Sequence, residues 1–125
     1  MVEKTQQYDA VAMSGEVSRR YQVMQQEVQA LISRIMEIDD EKKENELVLE
    51  SIMKLEDDRK CWRLINGVLF EKTKAQVVPE MTTMIKNLAN VSKQLNDALL
   101  LKKQDMNRLE QQYDHIMKQA KMQKQ

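Results

Sequence analysis

The chain has 125 residues, the size of one domain. Aromatic residues make up 4%, too few for a conventional compact core, and the 20 basic residues are balanced by 20 acidic ones. That balance gives no electrostatic reason to expect nucleic acid or an anionic membrane as a partner.

Only 2 glycines and 1 proline occur, so few positions can interrupt a helix. The single cysteine, Cys61, excludes a disulfide framework and fits a reducing compartment. No run approaches the ~20 apolar residues of a membrane span. Residues 1–14 lack a basic start followed by an apolar block, so no secretory signal is expected. The expected location is cytoplasmic, with a nuclear presence also compatible.

Residues 1–14 are polar and aperiodic and read as a flexible N-terminal arm. Ser14 offers an N-cap, with Gly15 and Glu16 opening the next turn. From there the apolar spacing predicts a helix over 15–58. Val17, Tyr21, Met24, Val28, Leu31, Ile35 and Ile38 alternate steps of four and three, and the register continues through Lys42 and Asn45 to Leu49 and Ile52. That is a sustained heptad seam. Lys42 and Asn45 place polar groups on it, where such residues cost stability but can fix register and partner. The intermixed acidic and basic residues from Asp39 to Glu46 read as a solvated face.

The chemistry changes at residues 60–72. Two short apolar runs, Cys61-Trp62-Arg63-Leu64-Ile65 and Val68-Leu69-Phe70, flank Asn66-Gly67, the strongest local signal for a β-hairpin. A type I′ turn needs positive φ at both central residues, which Asn and Gly tolerate. A two-residue loop pairs Ile65 with Val68, Leu64 with Leu69, Arg63 with Phe70 and Trp62 with Glu71. A lone hairpin is marginal in water and has open edges, so strands from other chains are expected to complete it.

Thr73 to Gln76 matches a capping box, and Pro79 follows where its missing N–H costs little. A second helix is predicted over 74–120. Met81, Met84, Leu88, Val91 and Leu95 keep heptad spacing, and Leu99, Lys102, Met106, Leu109, Tyr113, Ile116 and Ala120 form a second set. Two successive steps of four, Val91 to Leu95 to Leu99, mark a stutter that locally unwinds a supercoil. Residues 121–125 read as a disordered tail. The two helices have matched lengths, each ~60–65 Å at ~1.5 Å per residue. Matched amphipathic helices on a tight connector pack antiparallel, in a register with residue numbers summing to roughly 133. The expected fold is therefore α-dominated: a long antiparallel coiled-coil hairpin with one β-hairpin inserted between its helices.

Nothing here supports catalysis, a metal or a cofactor. His115 is the only histidine and falls beside the seam, so a His-paired nucleophile has little support. Cys61 has no second cysteine for redox or zinc chemistry. The glycines form no phosphate-binding loop, and Asp57-Asp58 lacks calcium-loop spacing. The densest basic cluster, Arg59, Lys60 and Arg63, is too small to argue nucleic-acid binding. Methionine is abundant, with 10 residues, and suits both seam filling and adaptable binding surfaces.

The run from Arg59 to Thr73, with Val77-Val78-Pro79 after it, resembles the hairpin signature of β-type prefoldin subunits, and among them the subunit 2 group. The family pattern reads R-K-C-aromatic-R, two apolar residues, a glycine-rich turn, V-L, an apolar residue, then E-R/K-T. Asn66 replaces a common glycine and Phe70 a common valine, both compatible with a hairpin. The arms match the family in period more than in residues.

The resemblance implies a heterohexamer in which this chain joins two α-type and three further β-type subunits through its hairpin: Cys61, Trp62, Leu64, Ile65, Asn66, Gly67, Val68, Leu69 and Phe70. It also implies capture of unfolded actin- and tubulin-type clients, and their delivery to the cytosolic group II chaperonin without ATP. The arm ends would then form a client-binding tip, for which Val17, Tyr21, Met24, Tyr113, Ile116 and Met117 are the candidates. Two other readings stand beside it: a plain coiled-coil tether, and a subunit of a prefoldin-like assembly linked to transcription.

Overall fold

The computed structural model runs from α1 (Val2–Met53) through a two-stranded antiparallel ribbon, β1 (Lys60–Ile65) and β2 (Val68–Thr73), into α2 (Lys74–Lys124). It describes the backbone of residues 2–124 and the side chains of residues 12–122. Met1 and Gln125, parts of the expected arm and tail, lie outside the described residues. Two compact units result, Met1–Ser33 with Asn96–Gln125, and Arg34–Leu95 with the ribbon.

In the ribbon-bearing unit, the end of α1 packs on the start of α2. Ile35, Ile38, Val77 and Met81 are buried, and Leu49, Ile52, Met84, Leu88 and Leu95 are half-buried around them. Fully burying one such side chain contributes roughly 1.5–3 kcal/mol. Val77 was not on the predicted seam; it lies in the first turn of α2, where the ribbon joins the helices.

Polar seam groups are settled locally. Asn45 Nδ2 donates to the Glu41 carbonyl at 2.8 Å, and Lys42 Nζ pairs with Glu46 at 3.6 Å, both within α1. The link between the helices here is instead Ser92 Oγ donating to Asp39 Oδ1 at 2.9 Å. Ser92 therefore turns inward, and its neighbour Val91, expected on the seam, is exposed.

In the other unit, Val17, Leu109 and Ile116 form a buried cluster against which Tyr21 and Met24 pack. Val28 is buried farther along α1. Of the leucine triplet at the predicted stutter, Leu99 is half-buried, whereas Leu100 and Leu101 are exposed. Lys102, a charged residue at a seam position, is half-buried and ion-paired across to Glu27. Tyr21 Oη donates to Glu110 Oε1 at 2.6 Å. These pairs lie close to the register expected from the hairpin.

The helix ends differ from expectation. α1 begins at Val2, so Ser14 sits inside a helix and is not its cap. No proline precedes Gly15, and a single helix glycine costs only about 1 kcal/mol, which neighbouring good helix formers offset. α2 likewise continues past Ala120 to Lys124. It passes through Pro79 without interruption, and Thr73 N–H donates to Gln76 Oε1 at 3.1 Å, half of the expected capping box.

α1 stops at Met53, short of residue 58, and the reason is long-range. Its last turn carries no basic residue of its own. The largely buried Lys74 side chain reaches back from the start of α2 and donates to the carbonyls of Met53, at 3.1 Å, and Leu55, at 2.7 Å, with Asp57 Oδ1 at 3.4 Å. A helix leaves its last carbonyls without partners and carries partial negative charge at that end, so an ammonium there satisfies both needs. Leu55 N–H to Ile52 O and Arg59 N–H to Glu56 O then tighten the chain into turns. Lys74→Met should lower stability by about 1–2 kcal/mol, read as a reduced midpoint in urea unfolding followed by circular dichroism. An unchanged midpoint would show that water caps α1 equally well.

Candidate functional site

The ribbon adopts the register that its sequence predicts. Ile65 faces Val68, Leu64 faces Leu69, Arg63 faces Phe70 and Trp62 faces Glu71. Both turn residues are left-handed, Asn66 at φ 50° and Gly67 at φ 81°. That is the backbone a two-residue hairpin loop requires, and only Gly adopts it freely.

Directly paired residues share a face, so the register sorts the side chains. Cys61, Arg63 and Ile65 alternate as the half-buried positions of β1, on the side that meets the helices. On that side Arg63 Nη1 and Lys72 Nζ both donate to Glu80 of α2. The two cations hold the Glu80 carboxyl below its ordinary value; the hydrogen bond from Lys72 is the largest cause, partial desolvation opposes it and comes next, and the hydrogen bond from Arg63 adds to the lowering. Cys61 Sγ donates weakly to the Arg59 carbonyl at 3.8 Å. Among the described residues no group of three or more His, Cys, Asp or Glu is placed to hold a metal ion.

The opposite face is apolar and wet. Trp62 is 65% exposed, Leu64 66% and Leu69 62%. On β2, Val68 and Phe70, which share the helix-side face with Ile65 and Arg63, are exposed as well, whereas Lys72 and Thr73 at the far end of the strand are half-buried. Trp62, Leu64 and Leu69 together form, on the face turned from the helices, the kind of apolar patch that marks a protein–protein surface.

The candidate tip residues divide. Val17, at 5% exposure, and Ile116, at 7%, belong to the buried cluster, so they chiefly hold the two helices together and expose little surface. Tyr21 and Met24 are half-buried against it. Tyr113 and Met117 are exposed, at 37% and 39%. A groove of about 370 Å³ runs over Val17 and Leu109, between Tyr21 and Tyr113, with Glu110 and Asp114 beside it. Sequence reasoning missed three groups. Leu109 was placed on the seam but not at the tip. Glu80 and Lys74 went unnoticed because their partners lie on other elements.

A family model described as "Prefoldin subunit" matches residues 16–125. The chain belongs to the prefoldin subunit family. It is similar to the probable prefoldin subunit 2 of Dictyostelium discoideum, 33% identical over 93 residues, which cover 74% of this chain and 80% of that protein. Prefoldin subunit 2 of Arabidopsis thaliana is 32% identical over 97 residues, covering 78% of this chain and 66% of that protein. For the human prefoldin subunit 2 the figures are 27% over 91 residues, 73% and 59%. The fold is that of the crystal structure of the prefoldin beta subunit from Thermococcus strain KS-1, with a TM-score of 0.73 at 18% identity, covering 82% of this chain and 90% of that one. As in that prefoldin fold, the ribbon sits between the two long helices.

The Glu80 clamp makes the ribbon's attachment pH-dependent. A carboxyl with a lowered folded pKa stabilises fully above its ordinary value and loses that contribution as pH falls through the lowered one. Acidification below the ordinary carboxylate range should therefore loosen Arg63 and Lys72 from α2, seen as a joint shift of their side-chain NMR signals. Glu80→Gln should remove that joint shift; its persistence would exclude Glu80 as the titrating group.

Proposed function

We propose that this chain is a β-type subunit of a hexameric, ATP-independent co-chaperone. Two α-type and three further β-type subunits complete the assembly. It binds unfolded actin- and tubulin-type proteins and delivers them to the cytosolic group II chaperonin in the cytoplasm. The observation that carries this reading is the ribbon's uncovered apolar face. Trp62, Leu64 and Leu69 point away from the helices that support them, beside strand edges with unused hydrogen-bonding groups. Strands from neighbouring subunits would satisfy both at once. A plain coiled-coil tether has no use for such a ribbon, and family membership speaks for a binding component rather than an enzyme.

Client capture is assigned to the arm ends. Exposed Tyr113 lines a groove with Val17 and Leu109, and exposed Met117 follows one helical turn later on α2, surfaces suited to irregular apolar segments of unfolded chains. Val17 and Ile116 contribute by holding the two helices together. Leu64→Lys combined with Leu69→Lys should release the subunit from its complex while the helices stay formed. Native mass spectrometry of the affinity-purified protein reads this directly, and an intact complex would rule the ribbon out as the assembly surface. Tyr113→Ser with Met117→Ser should leave assembly untouched and weaken suppression of client aggregation, measured by light scattering. Val17→Ser should instead destabilise the arm by about 1–3 kcal/mol. Full suppression by the Tyr113/Met117 double variant would remove the arm ends from the client-binding surface.

A further inference from the structure

The groove at the arm end is apolar below and acidic beside. Val17 and Leu109, nearly buried, lie at its base, and Ser18, Tyr21 and Tyr113 line it around them. Glu110 and Asp114 stand one helical turn apart on α2, on the same face, and both line the groove. No lysine or arginine lines it. The neighbour that Glu110 engages, the Tyr21 hydroxyl, is neutral, so that contact orients the carboxylate without cancelling its charge.

A second groove in the same unit gives the contrast. It is lined by Arg19, Arg20 and Lys102 together with Glu16 and Glu27. There both carboxylates are already matched: Arg20 pairs with Glu16 at 2.8 Å, and Lys102 pairs with Glu27, with Arg19 as an additional cation. Negative charge on the tyrosine side is thus left for a ligand to match. Like charges at i and i+4 also repel each other mildly, and a cation placed between them relieves this. An exposed tyrosine ring adds a surface on which an arginine or lysine can stack.

We infer that this groove selects, from non-native polypeptides, segments in which an apolar side chain is flanked by lysine or arginine. The apolar side chain covers Val17 and Leu109, and the flanking cation lies between Glu110 and Asp114 against Tyr113. The inference rests on the reading of the arm ends as the client-binding surface and names the class of segment they take.

Three labelled unstructured peptides test it. They share one apolar centre and differ only in their flanks, which are lysine, glutamine or glutamate. Binding to the full chain, alone and assembled with its partner subunits, is measured by fluorescence anisotropy. The lysine peptide should bind about three- to tenfold tighter than the glutamine peptide, with an advantage that shrinks at high salt. Glu110→Gln with Asp114→Asn should erase that advantage, and Asp114→Lys should turn the preference toward the glutamate peptide, with helix content unchanged by circular dichroism. If all three peptides bind equally, or if the variants keep the wild-type ranking, the charge selection is wrong while client capture at the arm ends stands. If none of the three binds, both fall.

Discussion

Strand side chains alternate, so a ribbon's register decides which half of its residues meets the rest of the protein. Here two left-handed residues, Asn66 and Gly67, set that register. A slip of one residue would turn Trp62 and Leu64 onto the helices and push Arg63 away from Glu80. The observed pairing instead sends Cys61, Arg63 and Ile65 of β1 inward, where Glu80 receives two cations, and leaves Trp62 and Leu64 in water. A face that the chain itself cannot cover follows directly from the turn. The two helices supply a platform on one side and nothing on the other.

The arm segments follow a different rule. Their seam is apolar but thin, and its polar positions are settled one at a time. Asn45 and Lys42 satisfy themselves along α1, whereas Asp39 with Ser92, Glu27 with Lys102 and Tyr21 with Glu110 reach from one helix to the other. Exposed ion pairs stabilise little singly. Their effect is to favour one alignment of two smooth helices over its neighbours, which the apolar residues alone distinguish weakly.

Much of this was legible in the sequence. The Asn-Gly turn fixed the hairpin and its full register, because few residues accept that backbone. The three-four spacing located the buried positions Val17, Val28, Ile35, Ile38, Met81, Leu109 and Ile116, because a seam must repeat to stay facing its partner. Single positions were harder. Val91 and Ser92 exchanged roles because Asp39, far away in sequence, offered Ser92 a bond. The tip set mixed buried and exposed residues, since a heptad reports which way a side chain faces and not how much of it is covered. The early start of α1 was missed because a capping residue is only a local option, which neighbouring helix formers override.

Lys74 has a consequence in time as well as in space. It lies 19 to 21 residues after the carbonyls it closes. On the ribosome, α1 emerges first, with its last turn open, and both strands follow before the ammonium that seals it appears. The contacts that close the end of the first helix thus come from the start of the second. One side chain thereby ties the end of the first helix to the start of the second across the ribbon.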